Sequence, residues 1–316
     1  MRALHRPDRP SKSFSSRQLG RTTVVPREVT ESEARMSFLR VFFALIADTF
    51  QEARARWLFW GLFSLSTLLI LLFLFVLQVD VAAGAVSALG VQSTVHRIYS
   101  LQYNIQRFVS LSYSWVCVGL YVFGTFLAIF ASAGLIPSVL EPGRISLLLS
   151  KPVGRTTLLM GRYCGNLLIV ALNTVYMVTG VWLIFAYKTN TWDYRFLLAI
   201  PIMIFIFAVL LCVVVFVGVL SESAALSVMI PVALSLISAL LAQHQFMMRV
   251  LDSEWSRELW MGIYWIVPKV FDLGKALHYW ILLDQQIDWV TPIWTSAVFG
   301  AVVLISSIVI FRKRDY

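Results

Sequence analysis

Six stretches of this chain are apolar throughout, without a Lys, Arg, Asp or Glu: Trp57 to Leu77, Trp115 to Ile136, Gly165 to Tyr187, Phe196 to Leu220, Ala224 to Ala242 and Thr291 to Phe311. Each is long enough to cross a hydrocarbon core as a helix, which takes about twenty apolar residues. A different pattern precedes them. Between Phe38 and Arg56 the apolar residues Leu39, Phe42, Phe43, Ile46, Phe50 and Ala53 recur at helical spacing, with Asp48, Gln51, Glu52 and Arg56 mostly on the other side. This spacing predicts an amphipathic helix that lies along a bilayer surface before the chain turns inward.

Two connecting segments are long. Gln78 to Ser114 starts rich in Gly and Ala and predicts an amphipathic helix around Val95 to Val109. His244 to Val290 holds two apolar stretches too short to span, Leu259 to Val267 and Phe271 to Leu283, with Pro268 between them and with Trp255, Trp260, Trp265, Trp280 and Trp289 around them. Re-entrant or interfacial helices beside an aromatic belt are expected there. Residues 1–37 are polar and rich in Arg, Ser, Thr and Pro, the composition of a disordered cytoplasmic tail. The expected organisation is that tail over 1–37 and one transmembrane domain over 38–316. Its fold class is all-α and polytopic: six transmembrane helices, an amphipathic N-terminal helix at the interface, and short helices before the last span.

Composition agrees with the pattern. Of 316 residues, 59% are hydrophobic and 14% charged, with a mean hydropathy of +0.78; a water-soluble domain carries roughly a quarter charged residues. Cys117, Cys164 and Cys212 lie in or beside apolar runs without paired spacing, so neither a disulfide framework nor a zinc site is indicated. The four histidines are scattered, and His244 with Met247 and Met248 reads as packing rather than as a soft-metal site. The absence of charge inside the spans argues against an ion-coupled transporter. No metal or cofactor is expected to bind the chain directly.

Charge gives an orientation. With the amino terminus inside, the outer basic residues are Arg97, Arg107, Lys188, Arg195, Arg249, Arg257, Lys269 and Lys275, and the remaining majority of the 26 lie inside. The acids divide almost evenly, so the whole net charge of +9 sits on the inner side. The positive-inside rule then puts both termini in the cytoplasm. This basic excess implies anionic lipid headgroups, and not nucleic acid, as its partner.

Between the second and third apolar runs, Ile136 to Gly165 is neither a plain polar loop nor another span. Pro142-Gly143 breaks the chain, Ile145 to Leu149 makes one short apolar turn, and Lys151-Pro152 breaks it again. This predicts a short helix held between two stops. Its apolar face, Ile145, Leu148 and Leu149, suits burial in a partner's cleft. Glu141 precedes the helix start, where a carboxylate is favoured by the helix dipole. Arg144, Lys151, Arg155 and Arg162 make the segment basic.

At Pro137, Glu141, Gly143, Ile145, the run Leu148-Leu149-Ser150-Lys151-Pro152, Arg155, Leu158-Leu159 and Gly161, the chain resembles the permease subunit of ABC-2 transporters. The resemblance is nearest to the branch that includes the copper-maturation permease of nitrous oxide reductase, and covers about residues 38–316. It implies that the loop 137–164 carries a coupling helix docked on a separate ATPase subunit, with Glu141, Gly143, Arg144, Ile145, Leu148, Leu149, Lys151, Pro152 and Arg155 as the coupling residues. It also implies a second permease subunit, identical or related, and a place in a bacterial-type inner membrane. The chain has no G-x-x-x-x-G-K-[ST] run, so ATP would bind the partner and the chain would not itself be an enzyme.

The function expected is a permease that couples ATP binding and hydrolysis on the partner to export, or membrane extraction, of a substrate the sequence does not name. Two alternatives stand beside it: an assembly or scaffold subunit without its own path, and a lipid-modifying membrane enzyme. Against the last, the chain offers no G-x-S-x-G elbow and no paired catalytic His and acid. Asn173, Thr174, Thr179, Gly124 and Thr125 could face a path between spans, although helix packing by small residues accounts for them more simply. Glu222, in the short Ser221-Glu222-Ser223 turn, reads as a helix N-cap.

Overall fold

The amphipathic segment and the first apolar run become two helices that meet at a sharp corner. α1 (Glu31–Ala55) starts at Glu31 rather than at Phe38, and α2 spans Trp57–Val76. Their axes, taken over Arg40–Ala55 and Phe59–Phe75, differ by 72°. The Trp60 indole donates to the Arg54 carbonyl at 3.0 Å and closes the corner. The computed structural model describes residues 31–55, 57–80, 85–88, 91–93, 101–133, 154–190, 192–243, 253–283 and 289–314. Contacts divide the chain after Phe38, and the architecture below is that of the unit from Leu39 to Tyr316.

After α2, β1 (Leu77–Asp80), β2 (Ala85–Ala88) and β3 (Val91–Ser93) pair antiparallel in chain order, with Leu77 opposite Ala88 and Val86 opposite Ser93. This small sheet is an addition to a fold otherwise built of helices. α3 (Leu101–Ala133) is continuous, so of the amphipathic helix expected around Val95 to Val109 the described part, from Leu101 on, runs without a break into the second span, Tyr113–Ser132, while residues 95–100 lie outside the described residues. α4 (Arg155–Thr189) likewise begins ahead of the apolar run. Gly154 precedes it in extended conformation, and no Pro or Gly-Pro break follows until the helix ends at Asn190 in the left-handed region. Thirty-five helical residues reach roughly 52 Å, well beyond the ~30 Å hydrocarbon core. Part of α4 must therefore stand outside the bilayer.

A 3-10 turn (Tyr194–Leu198) leads into α5 (Ala199–Ser221), followed by α6 (Ala224–Leu241), α7 (Glu254–Ile266), α8 (Val270–Leu283) and α9 (Val290–Lys313). Among the described residues five helices are long and apolar enough to cross a membrane, and the bent α1–α2 pair makes a sixth. The chain is thus a polytopic all-α membrane protein.

α5 lies at the centre because it is apolar all round. A helix without a polar face has no side to give to water and is buried on every side, and α5 packs against α3, α4, α6 and α9. Ile206, Leu210, Leu211, Val214, Val215 and Val219 are all buried. α9 meets it through small residues: Ser296, Gly300 and Ser307 are buried, and a side chain at Gly300 would meet Val209 at ordinary contact distance. Close backbone approach is what small residues allow between helices in lipid, where burial supplies no hydrophobic drive.

α7 and α8 are the two short helices expected before the last span. Ser114 of α3 bonds His278 near the far end of α8, while Tyr121, seven residues further along α3, bonds the Val270 carbonyl at the start of α8. α8 therefore runs antiparallel to α3 for about 10 Å, and the α7–α8 corner lies that much deeper. At this corner the first amides of α8, which have no intrahelical partner, are met by hydroxyls of neighbouring helices. Ser296 Oγ of α9 accepts from the Lys269 N–H at 3.0 Å, and Ser238 Oγ of α6 accepts from the Phe271 N–H at 3.2 Å. Lys269 is buried with its ammonium 3.6 Å from the Tyr264 ring centre and bonded to the Tyr264 carbonyl at 3.2 Å. Burial pulls this ammonium below the ordinary lysine range, against the opposing charge of Asp272.

Candidate functional site

The start of α4, the α5–α6 turn, the end of α9 and the flank of α1 come together through charged groups at one end of the bundle. Among the predicted coupling residues, Glu141, Gly143, Arg144, Ile145, Leu148, Leu149, Lys151 and Pro152 lie outside the described residues. Arg155 is described. It is the first residue of α4, and its guanidinium donates to the carbonyls of Arg312, at 3.3 Å, and Arg314. The exit of the predicted coupling loop is thereby fastened to the C-terminal tail.

The tail is fastened in turn to the α5–α6 turn. Arg314 pairs with the Glu222 carboxylate and donates to the Leu220 carbonyl at 2.9 Å. Glu222 is not an N-cap, as its sequence position suggested. It caps the C-terminus of α5 in left-handed conformation (φ 54°), its N–H bonded to the Gly218 carbonyl at 3.0 Å, and this leaves the carboxylate free to reach α9.

The strongest feature lies two turns into α4. Arg162 is only 3% exposed and reaches two carboxylates of α1, Glu52 at 2.5 Å and Asp48 at 2.7 Å. Asp48 and Glu52 stand one turn apart on the polar face of α1, so a single guanidinium can span both. The two helices can come this close because α4 carries glycines on either side of Arg162. A Cβ at Gly161 would stand 2.8 Å from that of Leu45, and one at Gly165 would stand 2.7 Å from that of Thr49. Glycine is required at both positions by the approach of α1. Sequence reading treats Arg162 as one more basic loop residue and misses its partners. The Gly161-x-x-x-Gly165 spacing around an Arg, with two acids four apart on an amphipathic helix, is the signal that was present.

The polar residues considered for a path between spans are mostly used in packing. Asn173 is buried and donates to Ser66 Oγ of α2 at 3.0 Å, Thr174 and Thr125 are buried, and Gly124 lies against Met203 and Met177. Thr179 is half-buried. Ser132 joins α3 to Asn166 of α4 at 3.1 Å. Among the described residues no group of His, Cys, Asp and Glu has the arrangement of a metal site.

Among the described residues, this end of the bundle holds no nucleophile and base aimed at a common point. What it does is join four separate elements by ion pairs and charge-assisted bonds. Compared with known proteins, residues 43–316 match a family model described as ABC-2 family transporter protein. No curated protein matches the chain.

Proposed function

Because the chain belongs to the ABC-2 family of transporters, we propose that it is the permease subunit of a transporter whose ATP binding and hydrolysis reside on a separate ATPase subunit. The charged end of the bundle, with Arg155, Arg162, Arg312, Lys313 and Arg314, faces the cytoplasm of a bacterial-type inner membrane, and both termini lie there. Two permease subunits, identical or related, stand over an ATPase dimer and export a substrate or draw it from the bilayer. The spelling of residues 137–161 supports a kinship with the copper-maturation branch of the family.

The observation that carries the coupling assignment is the Arg162 clamp immediately behind the loop. A push delivered to residues 141–152 enters the stiff extension of α4. It cannot be absorbed there, because Arg162, Gly161 and Gly165 hold α1 against the same turns. α1 and the third span then move together, and the 72° corner passes the motion on to α2.

Co-expression with a candidate ATPase tests this. Glu141→Ala and Leu148→Asp are expected to weaken co-purification and lower ATP turnover of the complex. Arg162→Met is expected to leave co-purification intact while turnover no longer responds to the permease. Unchanged association and turnover in the two loop variants would overturn the coupling assignment.

A further inference from the structure

The opposite end of the bundle carries a recess that the coupling mechanism does not use. It lies between α3 and α8, has a volume of about 180 Å³, and is lined by Trp115, Tyr121, Gly274, Lys275, His278 and Tyr279 among others. Along α3 it runs from Trp115 to Val122, about 10 Å, and so begins at the mouth of the span and ends well below it. Trp115 and Tyr279 at its rim are both exposed. Amphipathic aromatics at that level mark the headgroup layer of a bilayer.

The charge inside the recess is one-sided. Lys275 donates to the Ala242 carbonyl at 2.9 Å and stands 5.2 Å from the Phe271 ring centre, both of them neutral groups. The nearest acid along α8, Asp272, instead accepts from the Tyr264 hydroxyl at 2.9 Å. No acidic side chain lines the recess among the described residues. His278 is held in its wall by Ser114 and by the Trp115 ring, 5.8 Å between centroids. A cation that no acid of the recess lining faces among the described residues, above an apolar floor of Val118, Val122 and Phe271, calls for an amphiphile with a negative head.

We propose that the recess between α3 and α8 binds one anionic phospholipid, its phosphate on Lys275 and its glycerol and upper acyl carbons against Trp115, Tyr279 and the apolar floor. Gly274 lets α8 stand close to α3 along the recess, since a side chain there would meet the Tyr121 ring at 2.9 Å. The site is independent of the ATPase docking end and does not assign the transported substrate.

Native mass spectrometry of the detergent-purified full chain, titrated with phosphatidylglycerol or phosphatidylcholine, tests the proposal. The unsubstituted protein is expected to hold one phosphatidylglycerol that neither phosphatidylcholine nor glycerol phosphate displaces. Lys275→Gln keeps the donor to Ala242 but loses the charge, and should weaken retention about fivefold, the effect of one basic side chain at an anionic surface. Lys275→Arg should restore it. Val118→Phe fills the floor with the charge intact and should also lose the lipid, which decides the matter if Lys275→Gln does not fold. Equal retention of phosphatidylcholine, retention unchanged in both variants, or lipid seen only in dimers, with the recess covered by a second copy, would overturn the proposal.

Discussion

The two ends of this bundle are held by different chemistry. At the end where α4 begins, the joints are ionic: Arg162 to Asp48 and Glu52, Arg314 to Glu222, and Arg155 to the tail carbonyls. At the end that holds α7 and α8 most joints are neutral: hydroxyls of Ser296 and Ser238 on backbone amides, Tyr121 on a backbone carbonyl, and Ser114 on His278. Where water is close, ion pairs can open and re-form at little cost, because water replaces the lost partner. In an apolar setting a broken bond leaves an orphan group, so it stays closed. The contrast assigns motion to the ionic end and rigidity to the α7–α8 end. Arg162 is the exception, since it is ionic and also buried.

That exception gives the largest expected effect. Arg162→Met takes the guanidinium away from Glu52, which is 11% exposed, and from Asp48, which is 56% exposed. Removing one partner of a buried pair costs roughly 3–5 kcal/mol, and the openness of Asp48 places this case at the low end. Thermal unfolding in detergent should show a clear fall in Tm. Adding Asp48→Asn and Glu52→Gln to Arg162→Met should recover most of it, because the carboxylates that the guanidinium held are then neutral.

Gly165→Val tests the same contact by shape. Its Cβ would stand 2.7 Å from that of Thr49 and force α1 off α4, a cost of about 1–3 kcal/mol. The expected signature is a lowered Tm together with loss of protection from proteolysis along α1 while α4 stays protected. If α1 remains protected, the glycines do not set the approach of the two helices.

At the α7–α8 end Ser296→Ala leaves the Lys269 amide without its acceptor, at a cost of about 1–3 kcal/mol. The comparison sharpens here through salt. Raising ionic strength should weaken the Glu222–Arg314 joint through screening and leave the loss in Ser296→Ala unchanged.

How far the sequence shows these joints depends on their range. The six spans are legible because each is a local run of apolar residues, and the α7–α8 pair is legible because its runs are too short to cross. The beginning of α4 at Arg155 is not, since Thr156 to Cys164 is neither apolar enough to count as span nor broken enough to count as loop. The sheet over Leu77 to Ser93 escapes because strands of three or four residues are too short for alternation to register. The Arg162 clamp escapes for another reason: its partners lie more than a hundred residues away, and only the fold brings them together. The docking residues Glu141 to Pro152 rest on the sequence alone.

The smallest effect is the most informative about where motion is allowed. Glu222 holds a left-handed conformation that costs a non-glycine residue about 1–2 kcal/mol. Its ion pair with Arg314 is largely exposed and returns at most about 1 kcal/mol. Glu222→Gly relieves the backbone and loses the pair, so the two changes nearly cancel and Tm should shift little. Glu222→Gln loses the pair and keeps the strain, and should fall below the glycine variant. If the α5–α6 turn merely closes a chain reversal, ATP turnover of the complex should be the same in both. If the tail relays motion from α4 to α6, turnover should drop in both alike, because both have lost the carboxylate that Arg314 holds. A drop that follows stability instead, larger for Gln than for Gly, would remove the tail from the path of force and leave the Arg162 clamp as its main route.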